Sequence, residues 1–460
     1  MKIRAQKNEV NMLSGSIFKG LLRVTIPVMI MNVFQSIFNF IDMTMIGNFA
    51  GDSAVGSVGA CTTLINVFTS LLIGIAVGAN AVVARYIARG EEERKEKAIG
   101  TSMFLVVFGG LFLMLLGLVC ARVFLTWMNV SEKLLDGAVI YFRLYFVGCP
   151  ILLLYNFCAN ILRSAGDAKR PMYYLILGGA IKVLTNYLFL RFTTNFAVQG
   201  VAIATIVSWS VTGGLCFLIL LRGKGSVKFK WSRFGLHIQE LKELLRIGVP
   251  TGIYTMAYGL ANVIIATTVN SFGEHATEGM SIANVFDGII YQISHAASFA
   301  VLPFISQNHS VHNSKRVMET IYKGSIIAVI FCGVFGSLSA IFAPQLSSIM
   351  SATPEVIEYS CQKMIVASSF YFICGVQDVL ASALRGIGKP TIPTIGTLIF
   401  TCALRFFWVY CVFPFVPQNL TYLYLVWPIG WVLNTIMMCV AFFICYKKIK
   451  KSYNKEIEVN

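Results

Sequence analysis

Leu22-Arg23-Val24-Thr25-Ile26-Pro27 returns as Leu245-Arg246-Ile247-Gly248-Val249-Pro250, with every number raised by 223. At the same spacing Asn39 falls on Asn262, Phe49 on Phe272 and Gly56 on Gly279. At an offset of 222, Leu162-Arg163-Ser164-Ala165-Gly166 falls on Leu384-Arg385-Gly386-Ile387-Gly388, and Pro171 on Pro393. Duplicated halves in a very apolar chain imply two similar helical bundles, the usual architecture of a carrier that binds its cargo between the halves.

The apolar character is unambiguous. Hydrophobic residues make up 57% of the 460 and charged residues only 13%, with a mean hydropathy of +0.73. An ordinary soluble domain is excluded, and the chain reads as an all-α integral membrane protein whose first partner is the lipid bilayer. The 12 cysteines mostly sit inside apolar runs and none forms a C-x-x-C; they read as small buried hydrophobes rather than disulfides or metal ligands. No small-residue cleavage site follows the first apolar run, so that run reads as a retained helix.

A span needs about 20 mostly apolar residues. Twelve are expected, near 21–46, 55–83, 99–126, 138–162, 171–192, 197–221, 244–270, 279–304, 318–343, 358–384, 391–413 and 421–446. They form two six-helix lobes, 1–221 and 244–460, joined by a polar linker at 222–243 that reads as a plain tether, or as a short amphipathic surface element through Trp231 and Phe234. Alternate loops collect most of the 37 Lys and Arg: Lys2, Arg4 and Lys7 at the start, Arg85 to Lys97, Lys169 and Arg170, the linker with Lys224, Lys315 to Lys323, Arg385 and Lys389, and the last stretch from Lys447 to Lys455. The opposite loops hold Asp52, Asp136, Glu274, Glu278 and Glu355. The positive-inside rule then places both termini in the cytoplasm, so the formal charge of +16 is a topology signal and not a nucleic-acid footprint.

An ionisable group within hydrocarbon costs at least about 2.5–3.5 kcal/mol on insertion scales, so each invites a functional account. Asp42 is the strongest case. Asn32, Gln35, Asn39 and Asp42 stand at i, i+3, i+7 and i+10, one face of the first helix with Ser36 beside them. Such a stripe is expected to line a watery cavity within the first bundle, its carboxylate binding a proton, or Na⁺ through oxygen ligands. The alternative is an acid solvated at the outer helix end. Ile265 stands at the repeat-equivalent position, so any coupling is asymmetric. Lys182 and Asn186, four apart on the fifth helix, share a face; Lys182 is expected either to pair with Asp42 and release it on protonation, or to bond backbone carbonyls and snorkel.

In the second half, Asn284, Asp287, Tyr291 and His295 form another polar face. Asp287 and Asp378 are candidates for a cationic cargo or a second coupling role, Asp378 alternatively for an interfacial salt bridge with Arg385. Arg405 is expected to meet an anionic cargo group or to neutralise Asp287. Tyr254, Met256, Tyr258, Phe286 and Tyr291 suit an adaptable aromatic pocket that includes Asn262, or plain core packing. His309 and His312 have no acidic or cysteine neighbours in sequence, and no resident metal or cofactor is expected beyond the coupling ion.

These pieces resemble the multidrug and toxic compound extrusion (MATE) transporters, within the superfamily that also holds lipid-linked oligosaccharide flippases. The matching stretches are Leu22–Pro27, Asp42-Met43-Thr44-Met45-Ile46-Gly47-Asn48-Phe49, Gly78-Ala79-Asn80, Leu162–Asp167, Leu384–Gly388 and Gly200-Val201-Ala202-Ile203-Ala204-Thr205. The resemblance implies twelve helices in two lobes and export of small organic, often cationic, compounds coupled to H⁺ or Na⁺. It puts Asp42 at the family's coupling acid. It departs at Lys182 and Asn186, where members often carry Asn then Asp, and no acid lies between Thr251 and Asn270. The expectation is a monomeric antiporter of a bacterial inner membrane, not an enzyme. Its rival is a flippase for a lipid-linked saccharide or peptide precursor, drawn to Lys182 and Arg405.

Overall fold

The computed structural model describes residues 9–50, 52–128, 130–192, 197–223 and 225–459; Lys2, Arg4, Lys7 and Lys224 lie outside them. Among the described residues all regular structure is helical. The first repeat contains α1 (Ile17–Ala50), α2 (Asp52–Arg89), α3 (Glu92–Trp127), α4 (Glu132–Val147), α5 (Cys149–Ser164), α6 (Lys169–Phe192) and α7 (Ala197–Arg222). The second contains α8 (Ile238–Asn270), α9 (Glu274–Ser310), α10 (Ser314–Ile341), a short α11 (Ala343–Ser348), α12 (Pro354–Ser368) and α13 (Tyr371–Gly386). A span over 391–415 follows, made of α14 (Thr391–Thr397), a π-helical stretch Leu398–Ala403, α15 (Leu404–Phe407), a second π-helical stretch Trp408–Val412 and a closing turn at Phe413–Phe415. Short α16 (Leu420–Tyr424) and long α17 (Val426–Val459) end the chain.

Among the described residues ten helical spans are long and apolar enough to cross a bilayer, and there are up to twelve when the bent pairs α4–α5 and α12–α13 each count as one. Those pairs bend by 46° and 47° where unbroken helices were expected over 138–162 and 358–384. In the first, Pro150 follows Gly148 at the start of α5 and brings no N–H to the helical ladder. The α3 backbone closes on the break, because a Cβ on Gly110 would come within 2.6 Å of Pro150 Cα. In the second no proline marks the break; the Ser368 carbonyl there points at Gly336 of α10, which has no side chain to obstruct it.

By packing, the chain forms two compact units, one of Val33–Gly252 with the described residues before Met12, the other of Met12–Asn32 with Ile253–Asn460. The dividing points fall inside α1 and α8, the repeat-equivalent helices, each of which starts in one unit and ends in the other. The first unit's core gathers Cys61, Leu113, Leu125, Phe142, Phe146 and Cys149. The second gathers Ile265, Cys374, Tyr424, Trp427 and Trp431. Helix α3 shows how a membrane changes the usual pattern. Gly110, Leu113, Gly117 and Ala121 are buried in protein, while Phe112, Leu115 and Val119 are exposed. Both faces are apolar because the solvent on the outer one is lipid.

Small residues bring α2 and α8 into backbone contact. Gly74 and Gly78 on α2 meet Gly248 and Gly252 on α8, both pairs spaced G-x-x-x-G. A Cβ on Gly78 would lie 2.6 Å from the Leu244 carbonyl oxygen, and one on Gly252 would lie 2.7 Å from Leu71 Cα. Gly252→Val is therefore expected to cost about 1–3 kcal/mol or more, since backbone cannot step aside as a side chain does. Thermal unfolding of the detergent-solubilised chain should show the loss. Gly259→Ala on the same helix, with nothing within 4 Å, should not.

The linker is not the plain tether expected. Phe229 is buried, its N–H bonded to the Leu220 carbonyl at 3.0 Å, and it packs against Phe217 and Trp231. Ser226 donates to both Glu9 carboxylate oxygens at 2.6 and 2.7 Å, and its carbonyl accepts from Lys95 at 2.9 Å. Lys230 pairs with Glu96 at 2.5 Å and Arg233 with Glu93 at 3.5 Å. The acidic start of α3 thus helps fasten the linker, where Glu91–Glu93 alone would read as a solvated helix start. Gly166 and Gly388, equivalent in the repeat, both take left-handed turns (φ +84 and +80) that side chains disfavour. Beside Gly166, burial pushes the Asp167 carboxyl up to about 6, although the Arg170 N–H at 3.2 Å and guanidinium at 3.3 Å pull it down.

Candidate functional site

In the first unit, α1 and α6 bring three of the expected residues together. Lys182 Nζ forms an ion pair with Asp42 Oδ2, and Asn186 Nδ2 donates to Asp42 Oδ1 at 2.6 Å. One turn of α6 carries both donors, because residues four apart face the same way. Asp42 is 6% exposed and Asn186 fully buried. The acid is neither solvated at a helix end nor turned to lipid. Its two oxygens hold one ammonium and one amide, a neutral arrangement tolerable within hydrocarbon.

The rest of the α1 stripe goes elsewhere. Gln35 and Asn39 are exposed and Ser36 is partly so, whereas a cavity inside the bundle was expected to enclose them. Asn32 belongs to the second unit, where it donates to the Gln292 carbonyl at 3.0 Å. At about 100° per residue Asp42 lies about 80° round the helix from Asn32. That rotation, together with the passage of α1 between units, separates the acid from Asn32.

The second unit holds a second buried pair. Lys363 Nζ on α12 lies 2.9 Å from Asp287 Oδ2 on α9 and also contacts Asn284 Oδ1. Tyr371 donates to the Asp287 carbonyl at 3.3 Å, and Ser368 reaches the carboxylate at 3.5 Å. Lys363 thus supplies the positive partner that Arg405 was one candidate to provide. The sequence reading passed over Lys363. The signal was present, a lysine just inside the expected span 358–384, but a lysine so near a helix end is ordinarily read as snorkelling.

Asp378 on α13 accepts from Tyr254 OH and Ser294 Oγ, both at 3.0 Å, and His295 Nε2 lies 3.9 Å away. The expected salt bridge with Arg385 is replaced by a shared ring, with the Arg385 guanidinium 4.4 Å from the Tyr254 centroid. Their separation of seven along one helix is a rise of about 10.5 Å, too far for a close pair on one element. Gln377 donates to Tyr258 OH at 2.6 Å. Tyr254, Tyr258, Tyr291 and His295 then follow with successive centroids 5.3, 6.2 and 4.4 Å apart.

Arg405, carried by α15 between the two π-helical stretches, is 3% exposed. Its Nη1 donates to Asn262 Oδ1 at 2.6 Å, and its guanidinium lies 5.4 Å from the Trp427 centroid. Lys363 Nζ lies 5.2 Å from the same ring. A separate cavity of about 370 Å³, lined by Phe286, Ile289, Ile293, Phe335, Leu338 and Phe342, is almost wholly hydrocarbon; of the residues expected to form an aromatic pocket it includes Phe286 alone. Among the described residues, no three His, Cys, Asp or Glu side chains converge.

The family model MatE matches residues 27–188 and 250–411, two segments again offset by 223. The chain is 24% identical to the probable multidrug resistance protein YoeA of Bacillus subtilis, over 83% of each. It is 23% identical to a FAD transporter of Shewanella oneidensis, over 84% of this chain and 85% of that protein. Among solved structures it superposes, with a TM-score of 0.91, on an outward-facing multidrug resistance MATE family transporter of the MOP superfamily, 20% identical and covering 97% of this chain and all of that one.

Proposed function

The chain belongs to the MatE family, whose members are membrane transporters and not enzymes, and from that premise we propose that it exports small amphipathic organic compounds across a bacterial inner membrane by cation-coupled antiport and alternating access. The observation that carries the coupling reading is the buried Asp42 carboxylate held by Lys182 and Asn186. Asp42 is the group that exchanges the coupling ion. Lys182 supports H⁺ over Na⁺, because its ammonium already sits on the carboxylate where a hard cation would need oxygen ligands, and repels a second positive charge. A proton instead neutralises the acid and releases Lys182. Cargo contacts in the second unit are drawn from Tyr258 and Asn262 on α8, Asp378 and Arg405. Both termini are cytoplasmic, as the basic loops argue.

Bacterial relatives named as multidrug resistance proteins support efflux of foreign compounds. The relative named a FAD transporter widens the cargo range to an anionic dinucleotide. The test is transport of ethidium in vesicles containing the full chain, with pH and Na⁺ gradients imposed separately. Exchange should follow the pH gradient and ignore Na⁺. Exchange driven by Na⁺ alone would reject the proton reading; no exchange of any probe under either gradient would reject the antiporter.

A further inference from the structure

We infer that Arg405, with Asn262 and Trp427, forms a binding site in the second unit for the carboxylate or phosphate group of an anionic aromatic cargo. The inference rests on the exporter reading and names a substrate class for it.

The repeat makes the case. Lys182 and Arg405 are related by the same offset, 223, that relates Asn39 to Asn262. Each unit therefore carries a cation, Lys182 partly buried and Arg405 fully so, at the same place on its fifth span, reaching towards the first span of its repeat. In the first unit that cation has a carboxylate, Asp42. In the second, Asp42 is replaced by Ile265, fully buried, and among the described residues Arg405 has as its hydrogen-bond partner the amide oxygen of Asn262. The nearby acids are engaged elsewhere, Asp287 by Lys363 and Asp378 by Tyr254 and Ser294. Arg163 and Arg385, also buried, stand in the last turns of α5 and α13, where the negative end of the helix dipole favours a cation. Arg405 lies in the middle of its span and has no such compensation.

A guanidinium offers five N–H donors in a planar fork that fits carboxylate or phosphate two bonds at a time. Among the described residues Arg405 uses one of them, on Asn262. Access comes through Asn262 itself, whose side chain is exposed within a membrane span. A polar amide facing hydrocarbon is costly, which favours water on that surface. Arg405 and Lys363 both approach the flat ring of Trp427, at 5.4 and 5.2 Å from its centroid, so the one carboxylate of Asp287 leaves this corner with one excess positive charge beside an aromatic ring. An aromatic anion matches both features.

The experiment uses the full chain with 5-carboxyfluorescein as the anion and ethidium as the cation, read by fluorescence anisotropy in detergent and by exchange in liposomes. Arg405→Gln should weaken carboxyfluorescein binding at least tenfold and lower the anion-to-cation transport ratio by a similar factor; Arg405→Lys should retain part of both. Asn262→Asp should act like Arg405→Gln while keeping the guanidinium, because it supplies the internal carboxylate that the first unit already has. It also remains informative if Arg405→Gln fails to fold. Equal carboxyfluorescein affinity in the wild type, Arg405→Gln and Asn262→Asp would overturn the site. Ethidium exchange by a wild type that binds no carboxyfluorescein would overturn it too and leave the exporter standing. Should neither probe be exchanged, the exporter reading falls, and the anisotropy result still decides on Arg405.

Discussion

Asp42→Asn is expected to reduce coupled exchange to the background of empty vesicles and to lower the amount of folded protein in the membrane. The two effects have different origins. Asparagine cannot take up and release a proton, so the ion step is lost outright. Lys182 meanwhile keeps its charge, its side chain 13% exposed, without the carboxylate that neutralised it. Removing one partner of a buried pair typically costs about 3–5 kcal/mol, because the survivor stays desolvated. Asp42→Asn with Lys182→Met separates the effects. The double variant should recover most of the folded protein, since an apolar chain of similar length fills the space, yet should still fail to exchange ethidium against a pH gradient. Wild-type exchange by that double variant would end the coupling role of Asp42.

Lys363→Met should produce the second large loss, of about 3–5 kcal/mol, by leaving the Asp287 carboxylate buried with the Ser368 hydroxyl at 3.5 Å in place of its ammonium partner. Asp287→Asn should cost a similar amount for the converse reason. Combined, the two should cost much less than their sum, and the difference is the interaction energy of the pair. Thermal unfolding of the four purified proteins in one detergent measures the cycle. Additive losses would mean that the contact contributes nothing of its own and that each side chain acts through separate neighbours.

How much could be read from residues alone depended on the distance over which each signal acts. Span length and the internal repeat are properties of short windows and their spacing, so the twelve-span, two-repeat architecture was legible. The bends at Gly148 and Phe370 were not. Pro150 hints at the first, but the second depends on Gly336, which belongs to a different helix, α10. The proximity of Lys182 and Asp42 could be anticipated because an intramembrane cation needs an acid and the first repeat offers few. Lys363 escaped because its position near a helix end has an ordinary explanation. The linker contacts were out of reach for a different reason, as Glu93 and Glu96 stand on α3, four helices upstream of the lysine and arginine they hold. Reading Asn32 as part of the same cavity as Asp42 assumed that one helix belongs to one lobe, and α1 does not.

The reciprocal placement of α1 and α8 bears on how such a chain could have been assembled. A gene cut at the linker would yield two polypeptides, neither encoding a whole lobe: the first would lack the opening turns of α8 that its α2 glycines embrace, and the second would lack Met12–Asn32. An ancestor of single-repeat length would have had to lend the opening part of its first helix to a neighbouring copy. On that view dimerisation by mutual loan of a helix came before fusion, and the fused protein inherited two halves that cannot be parted without tearing a helix from each.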